Sequence, residues 1–308
     1  VQVYKIGALL RRARIEKKLS IVDMCEGICS KQMASLIETE QRVAHWKMID
    51  SLFSRIGEKT PFNIIVMTKE EAERHILETK IRERISSGNA EIKEFLDEYR
   101  IGKMTKLEEQ FFKFYSIVYE NRNFDKNDWA VTEFTEALKF TIPNYDIKES
   151  FPKQTLLSNM ELVILNNIAR QQYNCGEKKA GFSLMKKLYK YTKSYWMSAQ
   201  ENVKTQVMIL FNLEDWSDEE PVLWNDALKM AEEGIELCLK YNKLTYFPYH
   251  LFAKGYYLSK LGDKEQGKKV LQDSLMMITK MFDLNFAKNN IPNLNNEFNF
   301  DFDITYFS

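Results

Sequence analysis

The stretch Leu19-Ser20-Ile21-Val22-Asp23-Met24-Cys25-Glu26-Gly27-Ile28-Cys29-Ser30-Lys31-Gln32-Met33-Ala34-Ser35-Leu36-Ile37-Glu38 decides the fold. Ser20 and Ser30 stand where helix N-caps are needed, because a serine hydroxyl accepts from amides left unpaired in a first helical turn. They predict helices over 21–26 and from Lys31 to about Glu38, with Gly27 between them as a turn residue that tolerates positive φ. Upstream, Ile6, Leu9, Leu10 and Ala13 recur at helical spacing. Downstream, Thr39 to Ala44 read as a loop, and Met48, Ile49, Leu52 and Ile56 line a fourth helix ending at Gly57. Two short helices joined by a Gly-containing turn and braced by flanking helices form a helix-turn-helix layout.

The third helix carries the chemistry. Ser30, Lys31, Gln32 and Ser35 lie opposite Ala34 and Ile37 and so face outward. Lys31 can contact phosphate or guanine, and Gln32 can pair with the N6/N7 edge of adenine. Arg11, Arg12 and Arg42 are candidate backbone contacts, which set register without reading sequence. The bland alternative is a solvated polar face on a small bundle. Charge favours double-stranded DNA as the partner. Residues 1–57 hold ten Lys/Arg against six Asp/Glu, a net of +4, which leaves −4 for the other 251 residues. A basic head on an acidic body is expected where only the head meets a polyanion.

Composition bounds the remainder. Eleven Gly and six Pro among 308 residues, with 29% charged side chains, predict an all-α chain of long helices. A hydrophobic content of 44% is ample for a core and excludes global disorder. Collagen, disulfide-scaffold and β-sandwich readings are poor fits. The longest compact apolar run, Ile64 to Met67, is far too short for a membrane span, and Val1 to Lys5 lack a signal-peptide layout. Four Cys do not make a disulfide framework, so the expected compartment is the cytoplasm. Cys25 and Cys29 read as core thiols, His45, His75 and His250 are scattered, and no catalytic or nucleotide-binding motif is present. The expectation is a non-enzyme without metal or cofactor.

Beyond residue 58 a linker is expected over 59–68, containing Pro61, and helices follow over 69–282. Gly255, Leu261-Gly262-Asp263, Gly267, Leu271 and Ser274 fit the small-residue and turn positions of a tetratricopeptide helix pair. Leu165, Ala169, Cys175-Gly176-Glu177, Gly181 and Met185 make a second fit; Ala130, Phe134 and Ala137, and then Ala227, Ala231 and Gly234, make two more. Taking Ala130, Gly181, Ala227 and Gly267 as equivalent gives spacings of 51, 46 and 40 residues, so the repeats of the predicted right-handed α-solenoid are long and degenerate. Residues 283–308, rich in Asn and Phe, read as a segment docked on the solenoid, with a disordered tail as the alternative.

Solenoids bind ligands along the inner, first-helix surface. Counting from the anchors, inner positions are Phe112, Tyr115, Tyr119 and Arg122, then Asn166, Arg170 and Tyr173, then Tyr249, Phe252 and Tyr256. Asn can bridge a peptide's amide groups, aromatic rings can pocket apolar side chains, and Arg can hold a C-terminal carboxylate. Ordinary packing between repeats claims some of these aromatics.

Residues 19–30, with Leu36-Ile37-Glu38 behind them, resemble the XRE-type helix-turn-helix of phage repressors. Met24 to Ser30 are similar to the Rgg-like regulators of Firmicutes, within the peptide-responsive RRNPP group that includes PlcR and PrgX. The resemblance implies an N-terminal DNA-binding domain over 1–58, degenerate tetratricopeptide-like repeats that bind a short signalling peptide through inner Asn residues, and a homodimer. The chain departs from the family at Ile21 (usually Gln), Leu36 (Arg), Thr39-Glu40 (Asn-Gly) and Ala44 (Pro). Leu36 cannot contact phosphate and Glu40 repels it, which favours the alternative of a signalling adaptor that has lost DNA binding.

Overall fold

The computed structural model describes residues 6–60, 69–86, 91–121, 128–149, 151–152, 156–194, 199–282 and 285–307. Fifteen α-helices and no strand occupy the described residues, so the chain is all-α. It divides into two compact units, 1–202 and 203–308.

The first unit opens with α1 (Ile6–Glu16), α2 (Ile21–Cys25), α3 (Lys31–Glu38) and α4 (Trp46–Arg55). Ser20 caps α2 and Asp23 answers by accepting from the Ser20 amide, a closed capping box. Ser30 caps α3 by accepting from the Met33 amide at 3.1 Å, and Gly27 takes φ 75° in the turn between them. Leu10, Met24, Ala34, Ile37, Leu52 and Ile56 close the core of this head. Arg14 grips the buried Glu38 carboxylate through Nε at 2.6 Å and Nη2 at 2.8 Å, locking α1 to the end of α3.

The same unit continues through α5 (Lys69–Ser86), α6 (Lys93–Tyr99), α7 (Lys106–Glu120), α8 (Asp128–Lys139), α9 (Asn159–Asn174) and α10 (Lys178–Ser194), stacked in consecutive pairs. Leu107 of α7 joins the core of the head. The buried Arg55 guanidinium donates to the Glu26 carbonyl and to the Glu161 carboxylate. Beside it the Asn159 amide donates to Ser54 Oγ at 2.9 Å, and Lys106 Nζ donates to the Gly27 carbonyl at 3.0 Å. Lys47 pairs with the buried Glu78, which also accepts from the Tyr99 hydroxyl at 2.7 Å. Head and body thus share buried polar contacts. Of the segment read as a linker, 61–68 lie outside the described residues, and Thr60 donates to Asp50 Oδ1 at 2.8 Å.

The second unit holds most of α11 (Ala199–Trp216) and then α12 (Trp224–Lys240), α13 (Phe247–Lys260), α14 (Lys264–Met281) and α15 (Phe286–Phe298). Small residues let these helices approach. A Cβ on Gly255 would stand 2.9 Å from the Gly267 carbonyl, and one on Gly267 2.8 Å from the Gly255 carbonyl. In the first unit, a Cβ on Gly181 would stand 2.5 Å from the Ala169 carbonyl. The local stacking within each unit is that of an α-solenoid.

The Asn-rich end is helical despite its composition, because Ala287, Ile291, Leu294 and Phe298 recur on one face of α15 and bury against Leu271 and Leu275. Asn295 clamps the chain beyond α15, its side chain donating to the Phe302 carbonyl at 2.9 Å and accepting from the Phe302 amide at 3.0 Å. Phe302 and Phe307 complete the cluster.

Removing one partner of a buried ion pair strands the other charge. Arg55→Met is therefore expected to cost about 3–5 kcal/mol in urea unfolding, with most of the loss recovered when Glu161→Met is added.

Candidate functional site

On α3, Ser30, Lys31 and Gln32 are exposed and Ser35 is half-buried, while Ala34 and Ile37 on the opposite face are sealed in the core. Among the described residues no ion pair is made by Lys31, Arg11 or Arg42, and all three are exposed. Arg12 is exposed and meets Glu16 at 2.7 Å, a solvated pair that phosphate can displace. Arg14 and Lys17 are committed elsewhere, Arg14 to Glu38 and Lys17 to Glu58 at 2.7 Å. The docking of the head onto α7 and α9 thus runs through Glu26, Gly27 and α4 and leaves the α3 face open.

The thiols beside this helix are structural. Cys25 is buried, and burial with the neighbouring Cys25 sulfur pushes the Cys29 thiol up to about 11, so neither is a reactive thiolate near neutral pH. Among the described residues no group of His, Cys, Asp and Glu could hold a metal ion, and no helix is long and apolar enough to cross a membrane.

The inner positions expected in the first unit have different surroundings. Asn166 and Arg170 lie one turn apart on α9; Asn166 is fully buried and Arg170 half-buried. Tyr173 is half-buried, with Lys178 Nζ 5.5 Å from its ring centroid. Tyr115 and Tyr119 pack on a core of Leu77, Ile81, Tyr99 and Phe111, and the Tyr115 and Phe111 centroids are 4.5 Å apart. Burial pushes the Tyr115 phenol up. Arg122 lies outside the described residues. A polar contact not foreseen from the sequence, Asn121 Nδ2 donating to Gln171 Oε1 at 2.9 Å, ties α7 to α9.

In the second unit Tyr249, Phe252 and Tyr256 come together. They line one wall of a cavity of about 610 Å³ between α11, α13 and α15. The Tyr249 centroid is 5.7 Å from those of Phe211 and Phe286, and Phe252 meets Phe286 edge-to-face at 5.3 Å. The Tyr256 hydroxyl donates toward Asp218 at 3.0 Å and Glu297 at 3.1 Å; burial first, then these carboxylates, push its phenol up. Lys260 bridges the same two acids, 3.2 Å from Asp218 and paired with Glu297. Beneath them Glu214 and His250 form a fully buried pair at 2.9 Å. Sequence reasoning missed Phe211, Asp215, Asp218, Phe286, Asn290, Asn293 and Glu297. A signal existed for the last four, which recur on a single helical face within the segment 283–308, read from sequence only as docked on the solenoid.

No protein-family model and no curated protein matches the chain. Among solved structures, PlcR of Bacillus thuringiensis, in complex with the peptide PapR7 and DNA, superposes with a TM-score of 0.56 at 16% identity, over 94% of this chain and 98% of PlcR. ComR of S. thermophilus, in complex with DNA and its signalling peptide ComS, superposes at 0.50 and 13% identity, over 94% of this chain and 98% of ComR. The chain has the fold of PlcR. That is the fold the resemblance to the RRNPP group implied.

Within this PlcR fold, one departure from the family pattern has a backbone explanation. Glu40 adopts φ 61°, and the amides of Glu40 and Gln41 donate to the carbonyls of Ile37 and Leu36, a Schellman ending to α3. The left-handed residue of that motif is normally Gly, which is what the family carries there. A non-Gly residue in this conformation costs roughly 1–2 kcal/mol, partly offset by glycine's larger entropy loss on folding. Glu40→Gly is expected to stabilise the protein by roughly 0.5–1 kcal/mol, read as a shift in the urea midpoint at constant slope.

Proposed function

We propose that this chain is a cytoplasmic, sequence-specific DNA-binding transcription regulator, not an enzyme, whose helical body binds a short signalling peptide. The observation that carries the reading is the exposed Ser30–Lys31–Gln32 face on a correctly capped α3, in a chain with the fold of PlcR. A helix presented this way enters the major groove with its first residues against base edges. Lys31 and Gln32 are assigned to base readout, with Ser30 and Ser35 beside them, and Arg11, Arg12 and Arg42 to the phosphate backbone. Residues 1–58 act as the DNA-binding domain and 69–282 as the sensing and dimerising domain. A homodimer places half-sites about one helical turn, or a multiple, apart.

For the peptide, the proposed contacts are Arg170, Asn166 and Tyr173, with Tyr115, Tyr119 and Arg122, in the first unit and Tyr249, Phe252 and Tyr256 in the second. The second group has the direct support of a shared cavity. Leu36 and Glu40 favour the rival reading, an adaptor that binds a peptide and no longer binds DNA.

A mobility-shift assay with the sequence upstream of the chain's own gene separates the two. Lys31→Ala or Gln32→Ala is expected to cost about 1–3 kcal/mol and relax preference at one base position. Arg11→Ala or Arg42→Ala is expected to weaken every sequence alike and reduce the salt slope by about 1. Wild-type protein with no operator preference at low salt establishes the adaptor instead.

Peptide and operator are expected to be coupled by about 1–3 kcal/mol, a 5- to 150-fold change in affinity that is equal in both directions. Arg170→Ala should abolish this response while bare DNA binding persists, read by titrating a cognate peptide with and without operator. Asn166→Ala should act alike; because Asn166 is fully buried, Arg170 is the cleaner test.

A further inference from the structure

The chain beyond the head is acidic overall, but one helix in it is not. α10 carries six Lys and no Asp or Glu, although the 251 residues beyond position 57 have a net charge of −4. Every exposed residue described on α10 is a lysine: Lys178, Lys179, Lys186, Lys187, Lys190 and Lys193. The helical period sorts them. At about 3.6 residues per turn, Lys179, Lys186, Lys190 and Lys193 fall within an arc of about 60°, in a row about 21 Å long. Lys178 and Lys187 flank the row. The opposite arc, with Gly181, Leu184, Met185, Leu188 and Tyr191, is buried.

Other exposed helices of this chain mix their signs. α14 interleaves its lysines with Glu265 and Asp273, and on α12 Asp226 pairs with Lys229 at 3.6 Å. On α10 that neutralisation is missing. Lys179, Lys186 and Lys190 make no ion pair among the described residues, and Lys186 Nζ lies 4.7 Å from the Phe182 ring centroid. Like charges a turn apart on a helix repel, so the row destabilises the helix slightly until a polyanion meets it.

The length of the row excludes a small anion. Composition argues against an acidic protein, because stable protein interfaces centre on buried aromatic and apolar anchors and are depleted in lysine. A phosphate backbone needs only point charges spaced along a line, which is what lysine supplies. Position agrees. The last turn of α10 lies beside the start of α9, where the Leu157 amide donates to Tyr191 Oη at 2.7 Å. The first turn of α9 is also where Asn159 and Glu161 meet Ser54 and Arg55 of α4. Lys190 and Lys193 are thus at the end of the row nearest the helix-turn-helix, in the same compact unit. Duplex DNA is stiff over roughly 150 bp, so the flanks of a site held by the head continue as a straight charged rod beside it.

We propose that the lysine face of α10 is a second, sequence-independent contact for duplex DNA, taking the phosphate backbone that flanks the site read by α3. The inference rests on the reading of the head as a DNA-binding domain. It makes α10 a source of affinity and not of sequence preference.

The test compares the full wild-type chain with the triple variant Lys179→Gln, Lys186→Gln, Lys190→Gln. A control with the same charge change lies in the second unit: Lys269→Gln, Lys280→Gln, Lys288→Gln. All six side chains are exposed, so neither triple is expected to shift the urea midpoint; the single substitutions carry the test if one does. Fluorescence anisotropy follows binding to the upstream duplex of the mobility-shift assay, a scrambled duplex of the same length, and poly-L-glutamate. The α10 triple is expected to bind both duplexes roughly 10- to 100-fold more weakly and to flatten the salt slope by about 2 to 3. The ratio between the two duplexes is expected to stay unchanged, and the control triple to stay within about twofold of the wild type. Equal affinity of the wild type and the α10 triple, the same loss in the control, a loss confined to the upstream duplex, or no binding of either duplex overturns the proposal. Poly-L-glutamate bound more tightly than duplex, and released by the same triple, assigns the face to an acidic protein and also overturns it. Preference for the upstream duplex that the α10 triple leaves at full affinity removes the α10 contact alone. Equal binding of both duplexes, weakened by the triple, removes the sequence-specific reading of the head and leaves the α10 contact standing.

Discussion

The Arg55 guanidinium, almost wholly removed from water, has two obligations that the rest of the first unit must meet together. It donates to the Glu26 carbonyl, at the end of α2 where the chain turns toward α3, and to the carboxylate of Glu161 in the first turn of α9. Glu161 in turn closes the capping box with Ser158 that starts α9. A buried charge tolerates little displacement, because any gap is filled by neither water nor another donor. The turn of the helix-turn-helix and the beginning of α9 are therefore positioned against each other by one side chain. Gly27 adds a steric condition: a Cβ there would collide with the Thr141 backbone.

On the proposed function, that constraint has a consequence. Asn166 and Arg170 lie on α9, the helix whose first turn holds Arg55. A peptide contact on α9 would thus act on an element tied to the turn between α2 and α3, without the head having to detach. Coupling through such a path needs two arrangements of the packed elements that the ligand binds unequally. The polar bond between Asn121 and Gln171 and the stacking of α9 on α10 at Gly181 are the contacts such a shift has to rearrange.

The second unit solves a different problem. Its helices approach through Gly255 and Gly267, and at Gly234 a Cβ would stand 2.5 Å from His250 Nδ1, so the buried Glu214–His250 pair has room only because that side chain is absent. Over this polar floor the aromatic wall and the carboxylates are assembled by α13, α11 and α15 together. The C-terminal helix supplies Phe286, Asn290, Asn293 and Glu297 with one face while its other face buries Ile291, Leu294 and Phe298. It is a structural cover and a cavity wall at once.

The features legible in the amino-acid order are local ones. Ser20, Gly27 and Ser30 specify two helices and the turn between them, because caps and positive φ depend on atoms within three or four residues. Ala34 and Ile37 orient α3, so the outward face of Lys31 and Gln32 was legible as well. Gly181 and Gly267 announced close helix pairs, since only small side chains let backbones meet. Which charges pair is a matter of tertiary packing, since Arg55 and Glu161 are 106 residues apart and no periodicity links them. Packing likewise placed Asn166 in the interior and Tyr249, Phe252 and Tyr256 on a cavity, although helical spacing marked all four as inner positions. It also gave Asp218 and Glu297 a common partner in Lys260. Helical spacing says which face a residue is on; whether that face meets a neighbour, a cavity or solvent depends on helices far away in the chain.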